Sequence, residues 1–323
     1  FKPDFVWIKN RDQSDWHILT DSVRGANTHI YSNNTDGEST DNSNGHVNYY
    51  TTGGFNVDAG AQGNVNENNE DYVAWCWKGG GAAVSNSDGS ITSSVSVNEE
   101  AGFSVVTWTG NATAGATVGH GLGKAPACIF LKGRNFEDHW AVYHKGIGTS
   151  LSDSNRKLIK LNDEGVYQTS TGYWNDTSPT SSVFSLGNDQ RTNKNTGTFV
   201  AYCWAEIKGY SKFGQYHGNG NSTHGTYVEC GFKPAFIIYK KTSGSDYWEM
   251  QNNVIDTYNP INESLFPNTS GAQSTGRKVD FLANGFIHRN GNGNTNEDGH
   301  DYVFMAWAEH PGENQFGVTP HGK

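Results

Sequence analysis

The chain has 323 residues, 17% of them charged and 13% aromatic, with 40 Gly, 2 Met and a formal net charge of −10. The length accommodates two or three domains with real cores. The acidic balance opposes long-range attraction to nucleic acid or an anionic membrane, and no apolar run is long enough to insert in a bilayer. Low charge and few aliphatics would read as disorder, were it not for 10 Trp, 15 Tyr and 16 Phe at recurring positions.

FKPDFVWIKNR opens the chain at Phe1: a proline, an apolar run, then a basic turn, with Trp16 following. DYVAWCWKGG from Asp71 closes this first unit, residues 1–80. Within it Val73, Trp75 and Trp77 alternate with Ala74 and Cys76, as in a strand with one bulky face. Residues 81–101 are small, polar and turn-prone around Asp88-Gly89, and read as a linker or a peripheral hairpin.

The second unit, 102–208, starts with a hairpin pattern, GFSVVTWTGNATAGATVGHGLG. It repeats the opening motif as KAPACIFLKGR with Trp140, and closes on TFVAYCWAEI. The third, 209–311, runs through YSKFGQYHGNGNSTHGTYVECGF, then FKPAFIIYKKT with Trp248, to DYVFMAWAEH; residues 312–323 form a polar tail. Repeats of this length exclude a short-period solenoid. Helix periodicity is weak and strand signals dominate, so the expected fold is all-β: three tandem related β-sandwich modules, jelly-roll or lectin-like. The first lacks the hairpin that precedes the other two, which gives the expectation that polypeptide continues upstream of Phe1. Whether the modules are separate beads or one body is left open.

A Gly-Phe or Val-Phe step recurs at Phe55, Phe184 and Phe286, and an Asn-rich loop precedes each closing strand. Asn292, Asn294, Asn296 and Asp298 alternate as oxygen ligands of a calcium loop do, but the bidentate Glu is missing, so a solvated turn is the expected state and no cofactor is assigned. Cys76, Cys128, Cys203 and Cys230 align with apolar residues and are expected as buried free thiols. The histidines are scattered and expected at the surface or in turns. Glu99, Glu100, Asp153, Asp163 and Glu164 offer acids for a glycosidase pair, but what recurs is the hydrophobic frame, so an enzyme is not expected. Trp7, Trp16, Trp75, Trp77, Trp140, Trp204, Trp248 and Trp307 are assigned to cores. Tyr49, Tyr50, Tyr167, Tyr173, Trp174 and Tyr258 lie in polar, Gly-rich context and are the candidates for stacking on sugar rings.

The wording WIKNRDQSDWHILTDSVRGANTHIYSNNT, ATVGHGLGKAPACIFLKGR, WNDTSPTSSVFSLG and DFLANGFIHRNGNGNTN resembles the tandem-repeat tail and tail-fibre structural proteins of tailed bacteriophages, of the marine and cyanobacterial type. The ending AWAEHPGENQFGVTPHGK departs from that pattern. The resemblance covers nearly the whole chain and brings no catalytic residues. It implies a virion protein assembled in the host cytoplasm, in contact with other virion proteins, oligomeric as a trimer, and docking on a host-surface glycan or outer-membrane component. The rival expectations are a non-adhesive capsid decoration or fibre shaft, a polysaccharide-degrading enzyme and a cellular adhesin.

Overall fold

The computed structural model describes residues 1–61, 63–148 and 154–311. It is an all-β protein of antiparallel sheets. The first sheet has the order β3-β2-β1-β6, from β1 (Phe5–Asn10), β2 (Ile18–Asp21), β3 (Ile30–Tyr31) and β6 (Tyr72–Trp77); β4 (His46–Tyr50) and β5 (Phe55–Asp58) pair beside it.

The second sheet, β12-β11-β16-β9-β8-β7, joins β7 (Val84–Asn86), β8 (Ser93–Asn98), β9 (Phe103–Thr109), β11 (Cys128–Gly133), β12 (Ala141–His144) and β16 (Thr198–Trp204). Residues 81–101 thus supply two strands that continue this sheet beyond β9. Its small companions are β10 (Ala116–Gly119) with β15 (Val183–Leu186), β13 (Lys157–Leu158) with β14 (Gln168–Thr169), and the one-turn helices α1 (Thr171–Trp174) and α2 (Gln190–Asn193).

The third sheet, β17-β23-β19-β20, joins β17 (Ser211–His217), β19 (Pro234–Lys241), β20 (Trp248–Asn252) and β23 (Asp301–Ala308); β18 (Tyr227–Glu229), β22 (Gly285–His288) and β21 (Val279–Leu282) form a smaller sheet over it.

The alternation of bulky residues along each closing strand explains how the three sheets meet. Trp77, Trp204 and Trp307, at matching positions of β6, β16 and β23, form a triangle with ring centroids 5.8, 5.5 and 6.1 Å apart. Around it one buried cluster draws on all three sheets, including Phe5, Phe103, Tyr202, Phe236 and Met305. The modules are therefore one body with a common centre, and each sheet's other face covers a separate outer core.

The basic turns are internal as well. Lys9, Lys132 and Lys240, at equivalent places on β1, β11 and β19, are fully buried. The Lys132 ammonium donates to the carbonyls of Thr35 and Asp138, and that of Lys240 to the carbonyls of Glu164 and Lys241. Burial pulls all three down to about 8. Sheet-to-sheet bonds follow the same rotation: Trp140 Nε1 donates to the Tyr31 carbonyl and Trp248 Nε1 to the Lys160 carbonyl, at 2.8 and 2.9 Å.

Three expectations are corrected. Trp16 is 39% exposed, packing edge-on against Tyr31 rather than entering the core. Cys128, Cys203 and Cys230 are buried free thiols, but Cys76 is only partly covered. His17, His29, His120, His144 and His288 are buried, not superficial, because aromatic walls and carbonyls take them in as neutral rings.

Candidate functional site

The three closing strands share their pattern but not their surroundings. β16 is flanked by β11 and β9, and β23 by β19 and β17, whereas β6 pairs only with β1 among the described residues. Arg11 N donates to the Asp71 carbonyl opposite it. Antiparallel alternation then turns the backbone groups of Val73, Trp75 and Trp77 toward β1, and those of Tyr72, Ala74 and Cys76 toward the open edge.

A cleft of about 370 Å³ runs along that edge. One wall is β6 itself; the other is the third sheet, through Phe236, Trp307 and the turn Asn252–Val254 that follows β20. The lining is apolar with a few unsatisfied donors: Trp75 Nε1, Trp307 Nε1 and Asn252 Nδ2 are buried and without a hydrogen-bond partner. Buried donors of this kind cost roughly 1–3 kcal/mol each when left unpaired.

The matching corners of the other two sheets are closed. After β2, Asp21 holds the buried Arg24 and accepts from the Tyr202 hydroxyl of β16 at 2.8 Å. After β12, His144 Nδ1 accepts from Gly146 N, which leaves the proton on Nε2 to donate to the Phe304 carbonyl of β23 at 3.1 Å. Burial draws that ring's pKa down to about 3, so it stays neutral. Asn252 is the third corner residue. Its Oδ1 accepts from Val254 N and Ile255 N, but its amide nitrogen has no partner on β6.

The expected sugar-stacking residues are not brought together. Tyr173 and Trp174 lie in α1 and are buried, packed within the fold instead of offering open stacking faces: Ser170 caps the turn, Trp174 Nε1 donates to the Lys157 carbonyl, and the indole packs edge-on against Tyr143. Tyr167 is half-buried beneath the Lys157 ammonium, 4.3 Å from its ring centroid. Tyr50 is half-buried, with its hydroxyl 3.1 Å from Thr20 Oγ1. Tyr49 pairs through its backbone with Asn56; its side chain lies outside what the structure describes. Tyr258 alone of the five whose side chains are described is widely open, at 84% exposure.

The Asn-rich loop is a folded corner in which Asn294 and Asn296 are buried, while Asn292 and Asp298 stay exposed. Asn294 donates to the buried Glu249 carboxylate. Asn296 is fully buried, accepting from Asn219 N and Thr226 N and donating to Asn219 Oδ1 and the carbonyls of Asn221 and Asn290. Asn292 Oδ1 accepts from Asn294 N. The side-chain oxygens of Asn292 and Asn296 are thus committed to N–H donors, and Asn294 is engaged through its amide nitrogen. Of the acids, Glu99 and Glu100 border a shallow groove with Lys2 and Asp4, while Asp163 caps Gly165 N and faces Lys160; Asp153 lies outside the described residues.

The β6 residues of the cleft were hidden in the sequence because they read as core, like Phe236 and Trp307 opposite them. The signal that pointed to it was the hairpin missing from the first unit. Fold and cleft together define an all-β protein of three related sheets in which, among the described residues, β6 is the one closing strand paired on a single side. The chain belongs to the family described as a domain of unknown function, DUF7483, which matches residues 1–311. No curated protein and no solved structure matches it.

Proposed function

We propose that the protein is a structural component of a tailed-phage particle, part of a tail fibre or tail tip, and that it contacts the host surface through loops carried on a rigid centre. The observation behind this reading is the shared core around Trp77, Trp204 and Trp307. The recurring residues serve packing, which leaves chemistry and recognition to the loops. Several weak glycan contacts, multiplied by copy number, would supply avidity. Tyr258 is the residue best placed for such stacking.

The reading is tested by locating the chain in intact particles by cryo-electron microscopy and screening it on a glycan array. Distal tail density, with glycan binding that Tyr258→Ala removes, supports it; density in the capsid shell or a fibre shaft overturns the adhesive part. A purely structural role is the second reading, favoured by the apolar cleft beside β6, which suits a protein partner better than a sugar.

A further inference from the structure

We propose that the cleft beside β6 is a strand-acceptor slot, filled by a third copy of the strand that β9 and β17 represent, and that polypeptide preceding Phe1 supplies it. The slot is defined by the geometry of the repeats, independently of the phage reading.

In the second and third sheets the strand next to the closing strand has fixed relations. Trp108 on β9 lies opposite Phe199 on β16 and stacks on it, 5.3 Å between centroids and 12° between planes. Tyr216 on β17 lies opposite Tyr302 on β23 and stacks at 4.9 Å and 5°. Three residues earlier, Val105 and Phe213 enter the central core opposite Tyr202 and Met305. β17 also fits against the neighbouring sheet's corner turn: a Cβ on Gly146 would stand 3.1 Å from the Gly214 carbonyl.

The cleft reproduces this frame with the strand removed. Tyr72 stands where Phe199 and Tyr302 stand, Trp75 where Tyr202 and Met305 stand, and the turn Asn252–Val254 where His144–Gly146 stands. A strand laid antiparallel along β6 would meet the outward backbone groups of Tyr72, Ala74 and Cys76. It would set an aromatic ring on Tyr72 and an apolar side chain opposite Trp75, and bring carbonyls toward the unpaired Asn252 amide. Val254, 77% exposed at the rim, would gain a neighbour.

The source follows from order within the repeat. In both covered units the flanking strand comes before the Pro-led strand; in the third its hairpin return leads into the residue two places ahead of that proline, while the equivalent Lys124 of the second unit is exposed. Phe232 in that position is 1% exposed, while Phe1, its counterpart, is 64% exposed. A strand from a second copy or from an unrelated partner is the alternative that the experiment separates.

Two measurements test this. First, a synthetic peptide with the sequence of residues 210–218 is titrated into the 323-residue chain, with a scrambled peptide as control, and amide exchange is followed by NMR. The expected result is saturable binding by the first peptide alone, with exchange at Tyr72, Ala74 and Cys76 slowed roughly 100-fold. Ala74→Pro, which removes an outward N–H and leaves the β1 pairing intact, should abolish it. Should Ala74→Pro fail to fold, the exchange pattern in the unmodified chain decides. Absence of saturable binding and of protection overturns the slot.

Second, the polypeptide from its natural source is weighed intact and its exchange measured. A mass above 35.3 kDa with β6 amides as slow as those of β16 supports supply from the same chain. A mass of 35.3 kDa, or fast β6 exchange in a heavier chain, overturns that source.

Discussion

β6 and β16 are nearly the same strand: YVAWCW from Tyr72 and FVAYCW from Phe199. Every side chain of the second is buried, whereas Tyr72, Val73 and Cys76 of the first are partly open and Ala74 is exposed. The local sequence specifies a strand with one bulky face, and the neighbour decides whether its other face is covered. The difference carries into the outer cores. Beneath β16 and β23 these are extensive, while the first sheet's is confined to Val6, Ile8, Ile18, Tyr31, Val47 and Val65 with a partly open surround.

The most demanding test of that contrast uses one residue at three equivalent places. Phe184 and Phe286 are fully buried, and truncating either to Ala should cost about 3–5 kcal/mol. Phe55 is only partly covered, and the same change there should cost about 1 kcal/mol, in proportion to its smaller buried area. Urea midpoints for the three variants decide; equal losses would break the comparison.

The lysines test whether the open edge loosens the whole first sheet. Their folded pKa values, about 8, lie below the unfolded value of 10.5, so the unfolded chain binds more protons between those limits. Stability should therefore rise as pH increases from about 8. The buried hydroxyls of Tyr202, Tyr216 and Tyr239 shift upward, so the folded state holds their protons and the rise should turn over above pH 10. Lys9→Met should flatten the slope as much as Lys132→Met if the opening is confined to the outer edge. A smaller effect at Lys9 would extend the loosening to the centre.

A lesser effect is expected in the sealed third unit. His288 is buried among Tyr216, Tyr239 and Phe286, and neither ring nitrogen has a partner. Burial lowers its pKa to about 3, so stability falls as pH drops from 6.5 toward that value, the unfolded chain taking the proton first. His288→Phe should stabilise by about 1 kcal/mol at neutral pH and remove that part of the acid dependence, as thermal melts at pH 7 and 5 would report. Smallest of all, a thiol reagent should reach Cys76 in the native protein, slowly because burial raises its thiol to about 11, and reach Cys128 and Cys203 only on unfolding.

The strand content and the repeat were legible because alternation and recurrence are local properties of the chain. The closing of three sheets on one centre was not, since Trp140 reaching Tyr31 and Trp248 reaching Lys160 leave no pattern in sequence. Tyr173 and Trp174 read as exposed because their sequence neighbours are polar, yet a single capped turn folds both inward. Asn296 read as solvated for the same reason and proved to be the hub of a buried loop. The cleft's position was implied by the absent hairpin, while its far wall, Asn252–Val254, comes from a segment more than half the chain away and carried no signal.

The Trp triangle also bears on how such a centre is maintained. Three identical chains meeting at an axis would hold it only by mass action, and dilution would dissolve it. Here one backbone carries all three contributors, so the centre persists at any concentration. A symmetric trimer must also place the same residue at every corner. Asp21, His144 and Asn252 occupy equivalent corners as three different residues, one ion-paired, one a neutral donor and one with a free amide. Covalent continuity has released the repeat from symmetry, and only such a chain can leave one of its three sides open.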